Sequence, residues 1–251
     1  SNRINPALFS PAAVNLANRL PKTDNPCGET RFGLPDDRDE FQAVGRVDYQ
    51  QSANHSVFGR YMATSDKRPS GFAQTQNVLT TVVPSSNNLA QSVTLGNTVV
   101  VGANLVNALR FAYNRTVVNR HNDPFFTPAD LGIKAYSYTP EPYREMVVSV
   151  TGGFAIAGAT GTKGLAENNA FQVSDDLTLV RGSHQMAIGA NIAYWNSVQE
   201  TFSRGGGNWA FNGQASGLGL ADFLLGRVTD LGHGASTGVT INQLYWGLYA
   251  Q

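Results

Sequence analysis

The sequence predicts an all-β fold: an antiparallel, up-and-down transmembrane β-barrel sheet of seven or eight strands, with long loops on one edge and short turns on the other. Apolar and polar side chains alternate along seven runs, which indicates strands. The runs at 105–119 and 184–200 far exceed the five or six residues usual in globular strands, and about 15 residues at about 3.3 Å each cross a bilayer at a tilt. The connections alternate strictly between tight and long, an asymmetry typical of membrane barrels.

The composition narrows the class of protein. Charged residues make up 14% of the chain, below the roughly 25% usual in soluble domains, and glycine is abundant at 26 residues. Lys+Arg 18 balances Asp+Glu 18, which argues against a nucleic-acid binder because such a protein carries a basic excess. The single cysteine, Cys27 in TDNPCGET, cannot form an internal disulfide and is interpreted as an incidental loop residue. No run approaches the 18 apolar residues of a membrane-spanning helix.

The elements follow in chain order. Residues 1–40 are predicted to be loop with one short helix from Pro11 to about Leu20, in which Ser10 is the N-cap and Pro11 the first helical residue. Strands are predicted at 41–50, 55–64, 89–101, 105–119, 168–181, 184–200 and 239–251. A weaker strand is predicted at 208–213, and 217–226 forms either a short helix or a buried strand. The tight connections lie near 51–54, at 102–104 and at 182–183, and the long ones at 65–88, 120–167 and 201–238.

Directly paired residues share a face of the sheet. In two hairpins the turn predicted from the sequence therefore gives a register that pairs apolar residues with apolar residues. A type II′ turn at Gly182-Ser183 pairs Arg181 with His184 and then sets apolar residues opposite one another, in the pairs Leu179–Met186, Leu177–Ile188, Val173–Ile192 and Phe171–Tyr194. A three-residue loop at 102–104 does the same for Val101–Leu105, Leu95–Phe111 and Val93–Tyr113. We expect this face to meet lipid, with an aromatic girdle toward the strand ends formed by Tyr49, Tyr61, Tyr113 and Tyr194. Asp175 and Asn97 also fall on it, so a β-bulge or a different register is expected there.

The first hairpin is FQAVGRVDYQQSANHSVFGRYMAT at 41–64. Its loop must have an odd number of residues if the apolar side chains of both strands are to lie on one face and the polar ones on the other. A loop at 51–53 or 50–54 sets Val47 opposite Val57, so that Val47, Val57 and Tyr61 point outward. The other face then carries Arg46, Asp48 and Arg60 toward a wet lumen.

Several blocks resemble TonB-dependent receptors, in particular the Oar-like members, which carry a carboxypeptidase-regulatory-like domain before the plug and barrel. The blocks occur in the family's order over most of 41–251: the first hairpin quoted above, LVNALRFAYNR, FQVSDDLTLVRGSHQMAIGANI, GLGLADFLLGR and YWGLYAQ. Residues 4–20 resemble the stretch that leads into this hairpin.

The resemblance implies a Gram-negative outer-membrane barrel of roughly 22 strands with a plugged lumen. Residues 1–40 then lead into the barrel, and 41–251 form about a third of it. The implied activity is energised movement of a large solute: a siderophore, an oligosaccharide or a peptide. The implied partners are outer-membrane lipid, the plug domain, the remaining barrel strands and an inner-membrane energy-coupling complex. Because the plug and coupling box are not recognisable here, the chain alone is not expected to transport.

No catalytic motif is found. The four histidines lack zinc-site spacing, GATGTKG at 158–164 lacks the spacing of a phosphate loop, and no G-x-S-x-G elbow occurs. We therefore predict no enzyme activity, no cofactor and no metal.

Two sets of candidate site residues remain. The predicted inward charges, which could touch the plug or a substrate or pair with one another, are Arg46, Asp48, Arg60 and Arg110. Aromatics in the 120–167 loop either stack on sugars or peptide side chains or pack the loop against its neighbours, and packing is favoured. They are Phe125, Phe126, Tyr136, Tyr138 and Tyr143.

Three functions are compatible with the sequence. The leading one is an outer-membrane receptor-transporter. The alternatives are a passive porin or adhesin barrel without energy coupling, and a soluble β-rich carbohydrate-binding protein.

Overall fold

A computed structural model describes residues 3–121, 123, 125–139, 146–156 and 164–251. Its strands are β1 Asp39–Ser52, β2 His55–Arg68, β3 Ser85–Val101, β4 Leu105–His121, β5 Val147–Val150, β6 Ala155–Ile156, β7 Gly164–Arg181, β8 His184–Thr201, β9 Asn208–Phe211, β10 Asp230–Gly232 and β11 Thr237–Ala250. Its α-helices are α1 Pro11–Ala17, α2 Gly71–Thr75 and α3 Gly219–Leu225.

The seven long strands form one antiparallel sheet in the order β1-β2-β3-β4-β7-β8-β11. The predicted fold class and all seven predicted strands are confirmed. The tight turns lie at one end of the strands and the long connections at the other end. The sheet is sheared by two residues per hairpin. His55 pairs with Val99, two residues before β3 ends, and Leu105 pairs with Leu179, two residues before β7 ends.

The registers of the second and third hairpins are confirmed pair by pair. Val101 pairs with Leu105 across 102–104, and Arg181 pairs with His184 across the Gly182-Ser183 turn. Gly182 has a φ of 61°, and Gln76 is the only non-glycine with positive φ among the described residues, so Ser183 does not share it. Positive φ at the first turn residue alone fits type II′.

The first hairpin differs from its prediction in loop and pairing. A two-residue turn at 53–54 joins Ser52 to His55, and a bulge between Gln50 and Ser52 supplies the extra residue. Val57 therefore pairs with Tyr49, not with Val47, and the predicted odd loop is wrong. The extra residue in the bulge has the same effect as an odd number of loop residues, so the apolar side chains of both strands still lie on one face. Val47, Val57 and Tyr61 share one face and are exposed, while Asp48 lies on the other face, opposite Phe58.

The outer face of the sheet is apolar and uncovered. Of the five residues predicted to meet lipid in the third hairpin, Leu177 is half-buried and the others are exposed, up to 56% for Ile192: Leu179, Met186, Ile188 and Ile192. The expected bulge at Asp175 and Asn97 is absent, because both registers run without interruption. Both stay on this face in hydrogen bonds, from Asn107 to Asp175 at 2.6 Å and between His55 and Asn97 at 2.5 Å.

An aromatic row crosses the outer face. Pairing aligns Tyr61, Val93, Tyr113, Phe171 and Tyr194 on successive strands. The tyrosines of this row lie mid-strand and not near strand ends as predicted, because the strands continue past them toward the long connections. The Tyr113 hydroxyl donates to Asn169 at 2.8 Å and the Tyr194 hydroxyl to Asn242 at 2.9 Å. The outer face thus changes from apolar to polar at this row.

The long connections fold with α1 into a small layer, here called the loop cap (residues 5–20 and the described parts of 69–84, 122–163 and 202–236). A second sheet runs through it in the order β10-β9-β5-β6, with β5 parallel to β9. The buried apolar core lies here and includes Leu16, Leu131, Val148, Ile156, Trp209 and Phe223. None of the helices in the described ranges is long and apolar enough to cross a membrane.

The predicted elements of the loop cap are largely found. The helix begins at Pro11 as predicted but ends at Ala17, and the Ser10 side chain makes no capping hydrogen bond. The weak strand at 208–213 is β9, in the second sheet. The ambiguous segment 217–226 is the helix α3, which ends in a left-handed Gly226 with φ 68°.

Candidate functional site on the inner face and the loop cap

The strand pairing places the four predicted lumen charges on the inner face of the sheet. Arg46 and Asp48 form a two-point ion pair, with the Arg46 Nε and terminal nitrogen 2.8 and 2.6 Å from the two carboxylate oxygens. The Arg46 guanidinium also lies 4.1 Å from the centre of the Phe58 ring, in a cation–π contact. Arg46 and Asp48 therefore pair with each other and form a fixed part of the wall.

Arg110 belongs to a second group on the same face. It donates to one oxygen of Asp176 at 3.1 Å, and the Tyr249 hydroxyl donates to the other oxygen at 2.8 Å. Asp176 and Tyr249 were not among the predicted site residues. The register of the third hairpin, which places Asp176 opposite Gly189 on the polar face, was the available signal for Asp176. The register of β11 was not predicted, so Tyr249 could not have been found.

Two glycines let aromatic rings lie flat across neighbouring strands. A methyl group at Gly96 would overlap the Phe58 ring, and one at Gly189 would overlap the Tyr249 ring. The ion pairs and the rings lie in one band of the inner face, in which Phe58 pairs with Gly96 and Gly96 with Arg110. We call it the inner-face ladder, and it consists of Asp48, Arg46, Phe58, Arg110, Asp176 and Tyr249.

Arg60 differs from the other three charges. It pairs directly with Arg46 on one side and with Thr94 on the other, and its side chain is exposed. Within the described part of the chain it makes no ion pair or side-chain hydrogen bond. Like charges on directly opposed residues repel. Arg60 therefore presents its donors to whatever occupies the lumen.

The predicted loop aromatics divide into two groups. Phe125 and Phe126 pack inside the loop cap, with ring centres 4.0 Å apart, and Phe72 meets Phe125 edge-on at 5.1 Å. Tyr136 and Tyr138 lie on the surface as an edge-to-face pair 4.9 Å apart, and Tyr136 is 71% exposed. Tyr143 lies outside the described residues. A ligand contact remains a prediction for all five.

His233 completes the exposed pair and was not predicted. Its ring lies 5.0 Å from that of Tyr138, and its Nε2 is 2.7 Å from the Tyr136 carbonyl oxygen. The Tyr138 backbone N–H donates to Gly205 at 2.7 Å, which fixes this segment beside the strand connection. The result is a surface platform of three mutually inclined rings, and a flat ligand ring could stack on one exposed ring face.

A comparison with protein families identifies the architecture. The whole chain, residues 1–251, matches the model of a family described as outer membrane beta barrel domain. The chain belongs to this family. No curated protein and no solved structure matches it. Membership implies a location in an outer membrane, which agrees with the uncovered apolar face and excludes the soluble alternative.

The loop cap of this outer membrane barrel contains one fully buried carboxylate, Asp222 in α3. The Ala215 N–H donates to it at 3.1 Å. The Ser216 hydroxyl, with the backbone N–H groups of Gly213, Ala215 and Ser216, lowers the pKa of Asp222 below the usual carboxyl value, although burial acts in the opposite direction. Asp222 is thus an anion that holds the 213–216 turn against α3. No cluster of three or more metal-ligating side chains occurs in the described ranges of the barrel.

Proposed function

We propose that this outer membrane barrel is part of a TonB-dependent receptor of a Gram-negative cell. It binds a large solute, such as a siderophore, an oligosaccharide or a peptide, and moves it across the outer membrane. The sequence blocks that resemble this class support the proposal. Its partners are lipid, the plug, the remaining barrel strands and the inner-membrane energy-coupling complex.

Unpaired strand edges support further barrel strands. Within the described residues, β1 pairs only with β2 and β11 only with β8. Lipid offers no hydrogen-bond partner to the free backbone groups of such edges. Further strands therefore close the barrel between β1 and β11.

The observation that carries the proposal is Arg60. Its guanidinium faces the lumen opposite another arginine and has no carboxylate among the described residues. A plug inserted into the lumen supplies the missing acceptors, whereas a passive pore leaves this charge to water. The inner-face ladder, in contrast, satisfies its own charges and serves as a rigid wall. The exposed rings of the loop cap provide the first contact for the solute.

Thiol labelling of the full-length protein in cells tests the proposal without knowledge of the solute. In a Cys27→Ser background, Arg60→Cys is expected to react slowly with a membrane-impermeant thiol reagent, because the plug covers it. An energised inner membrane should accelerate the reaction, and a protonophore should abolish the acceleration. Asp24→Cys, on the exposed N-terminal segment, serves as the control that reacts rapidly under all conditions. If Arg60→Cys is labelled rapidly and the protonophore does not change the rate, the barrel is a passive pore.

A further inference from the structure

A polar cleft of about 590 Å³ lies in the loop cap, apart from the exposed Tyr136–Tyr138 platform. Three segments that are distant in sequence form it: the end of α1, the α2 region and residues 125–130. Its lining comprises Arg19, Phe72, Gln76, Val78, Phe125, Phe126 and Asp130. The volume lies within the roughly 300–1,000 Å³ typical of small-molecule sites.

Arg19 is the uncommitted cation of this cleft. Its guanidinium lies 4.9 Å from the centre of the Phe126 ring and makes no ion pair or side-chain hydrogen bond with the described residues. Phe126 is buried and packs in turn against Phe125. The ring therefore restrains the position of the exposed guanidinium before any ligand arrives, which lowers the ordering cost of binding.

The other polar groups of the cleft are already engaged. Asp130 accepts hydrogen bonds from the Thr127 N–H at 2.7 Å and from the Thr127 hydroxyl at 2.9 Å, so its carboxylate stabilises its own turn. Gln76 directs its amide toward the last carbonyls of α2 and has a left-handed φ of 56°. This left-handed residue is the C-cap that ends α2.

We propose that Arg19 binds the carboxylate of a ring-bearing organic acid. This proposal names the chemical class of the solute, and it rests on the proposed receptor function. The planar fork of arginine matches a carboxylate with two parallel hydrogen bonds. The half-buried Phe125 and Phe72 rings provide an apolar wall for the ring of the ligand. An acidic sugar and an aromatic acid share this chemistry.

Binding to the purified full-length protein tests the proposal, measured by titration calorimetry. The acidic probes are D-glucuronate and hippurate, and their neutral counterparts are D-glucose and hippuramide. At least one acid should bind ten-fold more tightly than its neutral counterpart. Arg19→Gln should remove this preference, whereas Arg227→Gln, an exposed arginine of the loop cap outside the cleft, should retain it. Binding of glucuronate alone identifies an acidic sugar, and binding of hippurate alone identifies an aromatic acid.

A second measurement does not depend on any variant. In the wild type, raising the salt concentration should weaken binding of the acid but not of its neutral counterpart. Equal binding of acid and neutral probe, no binding of either acid, or an unchanged preference in Arg19→Gln overturns the proposal. The assay needs no energised membrane, so its failure is distinct from failure of the labelling test on Arg60→Cys.

Discussion

At the residue scale, Asp175 and Asp176 are neighbours in sequence with opposite surroundings. Asp175 lies on the outer apolar face, where its described partner is Asn107. Asp176 lies on the inner face between Arg110 and the Tyr249 hydroxyl. Successive side chains of a strand point to opposite faces, so chain position alone separates a carboxylate facing lipid from one in a polar network.

Replacing each of these two residues with leucine provides a matched pair. Asp175→Leu in the full-length barrel should raise the unfolding free energy in lipid vesicles, because it removes a carboxylate from the lipid face. Asp176→Leu should lower it by about 1 kcal/mol or more, because it leaves two donors without their acceptor. Denaturant unfolding of the refolded variants measures both. A loss of stability in Asp175→Leu as large as that in Asp176→Leu would contradict the outer-face assignment.

Asp222 predicts a dependence of loop-cap stability on pH. Its pKa in the folded state lies below the unfolded value, so the ionised form stabilises the fold above the ordinary carboxyl pKa. This contribution should be lost as pH falls through the lowered pKa. Limited proteolysis of the loop cap should therefore accelerate on acidification in the wild type. The Asp222→Asn variant should already be sensitive to proteolysis at pH 7, and its proteolysis rate should change less with pH. A pH profile like that of the wild type would refute this role of the Asp222 carboxylate.

At the element scale, the long strands and two of the three hairpin registers could be predicted from sequence. Gly182-Ser183 and the alternation around it leave one pairing that keeps Leu179 and Met186 on the same face. The register of the first hairpin was not predicted, because a bulge at 51 with a two-residue turn places the side chains on the same faces as a loop with an odd number of residues. The faces were therefore right although the pairs were wrong.

Aromatic rings over glycines predict a specific weakness of the sheet. Gly189→Ala should displace Tyr249 and weaken its hydrogen bond to Asp176, at a cost of about 1–3 kcal/mol. Gly45→Ala is the control, because a methyl group there has no atom within 4 Å. The unfolding free energy in vesicles reports the difference. The two variants should not be equally stable if the Tyr249 ring crosses β8 as described.

The third hairpin predicts which face meets lipid. Ile188→Arg should cost about 2–4 kcal/mol if the site is near the bilayer midplane. Thr178→Arg, on the inner face, should cost much less because water reaches the charge. Refolding of both full-length variants into vesicles allows their unfolding free energies to be compared. A larger cost for Thr178→Arg would invert the assignment of the two faces.

At the scale of the whole molecule, the buried core and the large sheet are separate. The strands expose both faces, and the packed apolar residues lie in the loop cap. Sequence analysis could not predict this layer, because β5 and β9 are short and pair in parallel across some 60 residues of chain. Its cleft, formed around Arg19, was missed because the three segments that line it are far apart in the sequence.

The arrangement of turns and loops predicts the side from which Cys27 can be reached. Long loops of outer-membrane barrels face the cell exterior, and Cys27 is exposed beside the loop cap. An impermeant thiol reagent should therefore label the wild-type protein on intact cells. Cys27→Ser with Ala103→Cys, in a tight turn, should react only after the outer membrane is permeabilised. Labelling of the turn position on intact cells would reverse the orientation.

The two-residue offset between hairpins has a consequence for the inner-face ladder. Arg110 lies five residues from Leu105, Asp176 five from Arg181, and Gly189, beneath the Tyr249 ring, five from His184. Because these three positions step diagonally with the offset, the part of the ladder formed by Arg110, Asp176 and Tyr249 stays level at about 13 Å from the turns, given about 3.3 Å per residue and strands tilted by about 40°. Arg110, Asp176 and Tyr249 thus form an arc of a horizontal collar and not a track along the pore axis. Under the proposed function, a solute or plug segment that moves through the lumen encounters these groups at a single height, so any discrimination by them occurs in one short step.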